Sequence, residues 1–415
     1  MTRSSAEINS GAISKPFLVS AVVLVFVGSS IGAVWLMVLL GVRPPADFSH
    51  FSLHRILQME GFLTTLVMGI GYMIVPRFRN IGLPSRRLAY ISLALVLASV
   101  AASIVHAISD NDTIAGAISY ALRLLATAIF GVMLLWVIRI RPKLLRLSDY
   151  FIALSVITLV TVNILDMPGS NSPNSLGEIQ LWLLFPVLMI FGIEYKTLPS
   201  FLAFIRPRKR LGKASLVLAA AALATGVAST TAVQDYFPYY HLISLAFNAT
   251  LFSSAALFAA SLFIYGGFDD SELRSFLSGE KKARYLYTIA YTRVAFALLL
   301  IGTALAALFH AVGGSMGFLF YDLAIHLTAI GFVGVTATLY VPLMIPPILG
   351  KQVHFAKFNH APVYLILAAL ATRAAADTVI GSAGPFSYVL MASGWLVVAA
   401  LFIFVFMLHK SMKAA

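Results

Sequence analysis

Apolar stretches of eighteen or more residues recur along this sequence, and they restrict the folds that the chain can adopt. Of its 415 residues, 60% are hydrophobic and only 11% are charged. Because a bilayer offers no water to backbone N–H and C=O groups, an embedded chain must form helices or a closed barrel, and runs of about 20 apolar residues suit helices. We therefore predict an all-α, polytopic membrane protein with about twelve transmembrane helices.

The predicted spans follow the apolar runs between polar or turn-forming residues. They cover residues 17–42, 53–76, 88–107, 114–138, 148–165, 178–199, 212–232, 239–265, 286–312, 321–349, 361–379 and 385–409. The first run is too long for a secretory signal and lacks a small-residue cleavage site, so we expect it to remain as a helix. We interpret residues 1–415 as a single integral membrane domain.

The basic residues indicate how the chain is oriented in the membrane. Lys and Arg concentrate in alternate loops, for example at Arg77–Arg87, Arg139–Arg146 and Arg206–Lys213. Cytoplasmic loops are enriched in these residues, so we predict a multi-pass plasma-membrane protein with both termini in the cytoplasm. The formal charge of +13 is spread over short loops, without a soluble domain. We therefore expect the lipid bilayer, and not nucleic acid, as a partner.

Similar sequences at the ends of several predicted helices indicate an internal repeat. Predicted helices two and six end in the similar segments Met68–Phe78 and Phe191–Phe201, and Pro76, Pro199 and Pro346 recur four helices apart. This pattern predicts three pseudo-repeated four-helix units, at approximately 17–138, 148–265 and 286–409. The alternative is that proline is simply common at helix ends, where it cannot continue the hydrogen-bond ladder.

Histidines are the candidate ligands, since the sequence has no cysteine. A lone interfacial histidine is usually solvated, but six are predicted at the outer ends of helices: His50, His54, His106, His241, His310 and His326. His54 and His326 are the best pair to clamp a haem iron, and His50, one turn earlier, could replace His54. His310 and His241 could form a second metal site, whereas His106 fits a solvated group better.

Charged residues inside the predicted spans each need a partner, because burying a charge is costly. Glu60 could relay protons or bond to a neighbouring helix. Arg123 is a second charged residue inside a predicted span. Arg373 could hold a haem propionate, or Asp377 at i+4 could alone satisfy it. We interpret Glu194 as part of an ordinary surface pair with a nearby lysine.

Two segments resemble known membrane proteins. They are His54–Phe62 with Gly69–Phe78, and Asp322–Gly350 followed by Arg373. Both resemble the twelve-helix large subunit of haem-copper oxidases and, more closely, the NnrS family of haem- and copper-containing membrane proteins. The similarity of sequence motifs covers about a third of the chain. Elsewhere only the arrangement of the predicted helices is similar.

The resemblance implies that His54 and His326 are the two axial ligands of a low-spin haem. Without cysteine, this haem b must be bound non-covalently. Predicted helices six and seven contain none of the copper-binding histidines of the oxidases, so a complete oxygen-reducing centre is not expected. The expectation of bound copper therefore depends only on the clustered outer histidines. The implied role is respiratory electron transfer or nitric oxide handling, oxidoreductase-like if enzymatic, with an electron donor or respiratory-chain subunits as partners.

Two other functions remain open from the sequence. A proton-coupled secondary transporter would use Arg123, Glu60 and the pair of Arg373 with Asp377 as substrate or proton groups. A metal-free subunit would only scaffold a respiratory membrane complex. A haem spectrum separates the first hypothesis from both alternatives.

Overall fold

The computed structural model describes residues 5–39, 50–109, 112–140, 146–166, 176–201, 206–231, 239–266, 275, 277–313, 317–348, 360–379 and 386–413. The described residues form twelve helices and no strand, which confirms the all-α prediction. The helices are α1 (Ser5–Leu39), α2 (His50–Arg55, Ile56–Leu63 and Thr64–Arg79), α3 (Arg86–Ile108), α4 (Thr113–Arg139), α5 (Leu147–Leu165), α6 (Leu176–Phe201), α7 (Lys209–Thr231), α8 (Tyr240–Ser261), α9 (Gly279–Ala311), α10 (Gly317–His326, Leu327–Gly334 and Val335–Ile348), α11 (Ala361–Val379) and α12 (Phe386–Lys413).

The helices have the length and surface of membrane spans. Among the described residues, eleven are long and apolar enough to cross a bilayer, and α11 contributes a shorter apolar helix, Ala361–Ala376. Large apolar side chains such as Val132 and Phe402 are 70% and 66% exposed, as lipid contact requires. The chain is therefore a multi-pass membrane protein. Helix α1 begins earlier than predicted, at Ser5, and it continues through Pro16.

Three helices form the inside of the bundle. Of the described spans, α2, α6 and α10 are the most buried, and they occur at every fourth helix. Phe191 of α6 stacks on Phe258 of α8 with ring centroids 4.0 Å apart, and Phe296 of α9 and Phe332 of α10 extend this aromatic core. Helices α1 and α12 pack together, so the two ends of the helix series are neighbours. The division into three repeat units stays a prediction.

Helices α2 and α10 share an irregularity that the sequence analysis did not predict. Each contains eight residues of π-helix, Ile56–Leu63 and Leu327–Gly334. These segments begin two residues after His54 and one residue after His326. A π-helical segment shifts the faces on which side chains project and is frequent at functional sites. The two predicted ligands thus lie at matching positions on the two inner helices.

Candidate functional site

The rings of His54 and His326 lie close together between α2 and α10. Their centroids are 6.4 Å apart, and the ring planes differ by 19°. Both residues lie in the N-terminal part of their helix, so the N-terminal ends of α2 and α10 meet at this site. We call it the histidine end of the bundle. The two residues that the sequence analysis singled out are therefore neighbours in space.

Hydrogen bonds hold both rings in one tautomer. The Nδ1 atom of His54 lies 2.8 Å from the carbonyl oxygen of Gly28, and that of His326 lies 2.7 Å from the carbonyl oxygen of Asp322. A carbonyl oxygen can only accept, so Nδ1 carries the proton and donates in both residues. A neutral imidazole with Nδ1 protonated keeps its lone pair on Nε2, the form that binds a metal.

Glycine at position 32 makes room for His54. A Cβ atom at Gly32 would lie 2.5 Å from His54 Nδ1 and 2.7 Å from its Cε1. No real Cβ atom lies so close to another heavy atom, so only glycine permits this approach of α1 to the ring. The sequence analysis missed this residue, because a glycine in an apolar run has no visible partner until the helices are packed.

Asp322 links His326 to Arg373. Its Oδ1 atom lies 3.1 Å from His326 Nδ1, and its Oδ2 atom accepts a hydrogen bond from Arg373. Of the two alternatives left open for Arg373, the one in which Asp377 alone satisfies it is therefore wrong, because a carboxylate of another helix is its partner. Asp377's own side chain lies outside the described residues. A carboxylate that accepts from a ligand histidine increases the basicity of that histidine.

An apolar cavity adjoins the two histidines. Helices α1, α2, α6, α10, α11 and α12 line it. His54, Arg55, Gln58, Asp322 and His326 supply polar atoms to its wall, and aliphatic and aromatic side chains form most of the rest. Such a cavity, apolar with a few grouped polar residues, is typical of a cofactor site.

The other intramembrane charges form a network beside this cavity. Arg123 lies 2.5 Å from Glu60 Oε2 and 2.6 Å from Asp166 Oδ2. Arg55 lies 3.9 Å from Glu60 and 3.5 Å from Glu178. The sequence indicated that Glu60 and Arg123 each needed a partner but not that they pair with each other. The two residues are far apart in sequence, and they come into contact only because α2 packs near α4.

His241 and His310 are also neighbours, at the junction of α8 and α9. Their ring centroids are 5.9 Å apart. His106 instead binds through Nδ1 to the carbonyl oxygen of Asp112, at 2.7 Å. His50 is the first residue of α2, but its side chain lies outside the described residues.

Glu194 differs most from its sequence interpretation. It is 1% exposed, and Lys196 donates to the carbonyl oxygen of Phe78 at 2.7 Å. The expected surface pair is therefore wrong, since α6 turns this carboxyl into the bundle, where it contacts Tyr340. Hydropathy could not reveal this, because residues near a helix end are exposed or buried according to their neighbours.

The fold and the paired histidines define a polytopic helical membrane protein with two neighbouring imidazoles in the wall of an apolar cavity. Among the described residues, no group of three or more His, Asp or Glu side chains is arranged to hold a metal ion. No protein-family model matches the sequence, and no curated protein is significantly similar to it. The resemblance to the NnrS family stays a prediction based on two segments.

Proposed function

We propose that this protein binds a non-covalent haem b between His54 and His326 and acts in respiratory electron transfer. The spacing of the two rings carries this proposal. Bonds from imidazole nitrogen to a first-row metal are about 2.0–2.1 Å long, so two imidazoles on opposite sides of one ion have ring centres roughly 6 Å apart. The separation of 6.4 Å agrees with that value, and both Nδ1 atoms are already occupied.

A porphyrin also explains why two histidines suffice. It supplies four nitrogen ligands itself, so the protein would need to contribute only two, from His54 and His326. The haem supplies one-electron exchange at its iron when bound. Arg55 and Arg373 lie beside the two histidines, and each also pairs with a carboxylate. Their remaining N–H groups would hold the propionates. Asp322 would keep His326 oriented and electron-rich.

Electron transfer fits this site better than nitric oxide handling. If His54 and His326 both held the haem, no position would remain for a gas, whereas electron exchange would need none. The nitric oxide role that the NnrS resemblance implies would require one histidine to leave. We place the protein in the plasma membrane with cytoplasmic termini, on the distribution of basic loops, and with an electron donor or respiratory subunits as partners.

The competing functions have less support. A proton-coupled transporter would use Arg123, Glu60 and the pair of Arg373 with Asp377 as substrate or proton groups. Arg123 instead contacts Glu60 at 2.5 Å, and Arg373 bonds to Asp322. A metal-free scaffold subunit would have no use for two aligned imidazoles with their Nδ1 atoms held in place. Neither alternative accounts for the spacing of His54 and His326.

A reduced-minus-oxidised difference spectrum of the purified protein tests the proposal. We expect sharp low-spin haem b bands in the wild type, their loss in His54→Ala and His326→Ala, and their retention in His106→Ala, the matched interfacial control. The pyridine haemochrome spectrum identifies the macrocycle. A colourless, fully helical wild type would refute haem binding, and unaltered bands in both ligand variants would refute these ligands.

A further inference from the structure

A second cavity lies among the three inner helices, toward the end of the bundle opposite the histidine end. The C-terminal parts of α2, α6 and α10 line it, and none of the described histidines does. Its walls are mostly apolar, and each helix contributes one methionine: Met73, Met189 and Met344. Methionine is unbranched and adaptable, and it is frequent on surfaces that bind apolar molecules of varied shape. The walls therefore suit the apolar part of a ligand.

One carboxyl group interrupts this apolar lining. Glu194 of α6 is 1% exposed, and its Oε2 atom has no hydrogen-bond partner among the described residues. Tyr340 contacts the carboxyl, but no described Lys, Arg or His pairs with it. Lys196, two residues further on, instead donates to the carbonyl oxygen of Phe78. Burying an ionised carboxylate without a cation is very unfavourable, so this group needs a partner that the described residues do not supply.

Thr336 of α10 adds a second free oxygen to the same cavity. It is 5% exposed, and its Oγ1 atom has no hydrogen-bond partner among the residues that the structure describes. Thr338, two residues further on, is equally buried, but its hydroxyl donates to the carbonyl oxygen of Val335 at 2.8 Å. Leaving a buried hydroxyl without a partner is unfavourable. Because a hydroxyl oxygen and a carboxylate oxygen both accept, a ligand with several N–H or O–H groups would satisfy the two together.

We propose that this cavity binds a primary ammonium ion with a short apolar chain. The positive charge compensates the Glu194 carboxylate, and an ammonium group has three N–H donors for the free oxygens of Glu194 and Thr336. Hydrogen bonds between two charged groups are among the strongest in proteins. The chain lies against the apolar walls, where water is held poorly. A neutral alcohol offers a donor but leaves the charge of the carboxylate uncompensated.

The proposed ammonium site is independent of the proposed haem. The two cavities adjoin, since Leu66, Ala337 and Val341 line both. Neither His54 nor His326, however, contributes to the walls of the second cavity. A variant that loses haem should therefore still bind the ammonium ion.

NMR spectra of the purified protein with ¹³C-methyl-labelled methionine, titrated with n-butylammonium chloride, test the proposal. We expect the signals of Met73, Met189 and Met344 to shift, because their side chains line the site. The signal of Met133, which is buried in α4, should not move. n-Butanol, which matches the probe in size but lacks its charge, should bind about tenfold more weakly.

Four variants show which groups hold the ammonium ion. Glu194→Gln keeps the shape of the side chain and removes its charge, so the preference for n-butylammonium over n-butanol should disappear. Thr336→Val should weaken n-butylammonium binding by roughly threefold to tenfold, and Thr338→Val, the matched control, should bind as the wild type does. His326→Ala should also bind n-butylammonium normally, which distinguishes failure of this proposal from failure of the haem proposal.

The comparison of the two probes in the wild type needs no variant to fold. Equal affinity for n-butylammonium and n-butanol would overturn the proposal, because the cavity would then select only for apolar bulk. Unmoved signals from all three cavity methionines would overturn it as well, as would an unchanged preference for the cation in Glu194→Gln.

Discussion

Gly32→Ala is the sharpest test of how the His54 ring is held. The added Cβ would lie 2.5 Å from His54 Nδ1, so the ring must move by about 1 Å to reach ordinary contact. That movement breaks the 2.8 Å bond to the Gly28 carbonyl oxygen, which is worth about 1 kcal/mol. Overpacking adds about 1–3 kcal/mol. We therefore expect a loss of about 2–4 kcal/mol in unfolding free energy.

The assay combines unfolding in detergent with a haem titration. Gly32→Ala should unfold more easily and bind haem with weakened low-spin bands, because a displaced imidazole no longer opposes His326. Gly334→Ala is the matched control, since Gly334 lines the same cavity but a Cβ atom added there would lie 3.8 Å from its nearest neighbouring atoms. Wild-type stability together with a wild-type spectrum in Gly32→Ala would refute the packing of α1 against His54.

Two further variants test the charges around the site. Arg123→Met removes the nearer of the two cations beside the buried Glu60 and leaves only Arg55, at 3.9 Å. Breaking a buried pair costs about 3–5 kcal/mol. The same measurement should show a smaller loss when Glu60→Gln is added, and equal losses would contradict the pairing. Asp322→Asn removes a negative charge beside His326, so the ferric haem is less stabilised and the midpoint potential should rise by roughly tens of millivolts. Redox titration measures this rise, and an unchanged or lowered potential would contradict the role of Asp322.

The sequence predicted the parts of the site that depend on local pattern. His54 and His326 could be paired because equivalent positions on α2 and α10 follow from the order of the spans, and the structure brings their rings to 6.4 Å. His241 and His310 were named from their position at helix ends, without any indication of their distance. Their proximity follows from the antiparallel packing of α8 on α9.

The errors and omissions concern which side of a helix faces a neighbour. Glu194 was interpreted as a surface residue although it is 1% exposed, and Arg373 pairs with Asp322 of another helix. The fit of Gly32 against His54 was not predicted either. In a bilayer, both the lipid-facing and the inward-facing sides of a helix are apolar, so hydropathy alone does not distinguish them.

The sequence by itself determined that this chain is a helical, polytopic membrane protein, because unsatisfied backbone groups in lipid leave apolar runs of this length little alternative to the helix. Only the tertiary structure decided which buried groups meet. The pairing of Arg123 with Glu60 and the proximity of the His54 and His326 rings depend on how helices far apart in sequence rotate and pack. That arrangement follows from close contacts between particular side chains, which no local hydrophobic pattern encodes.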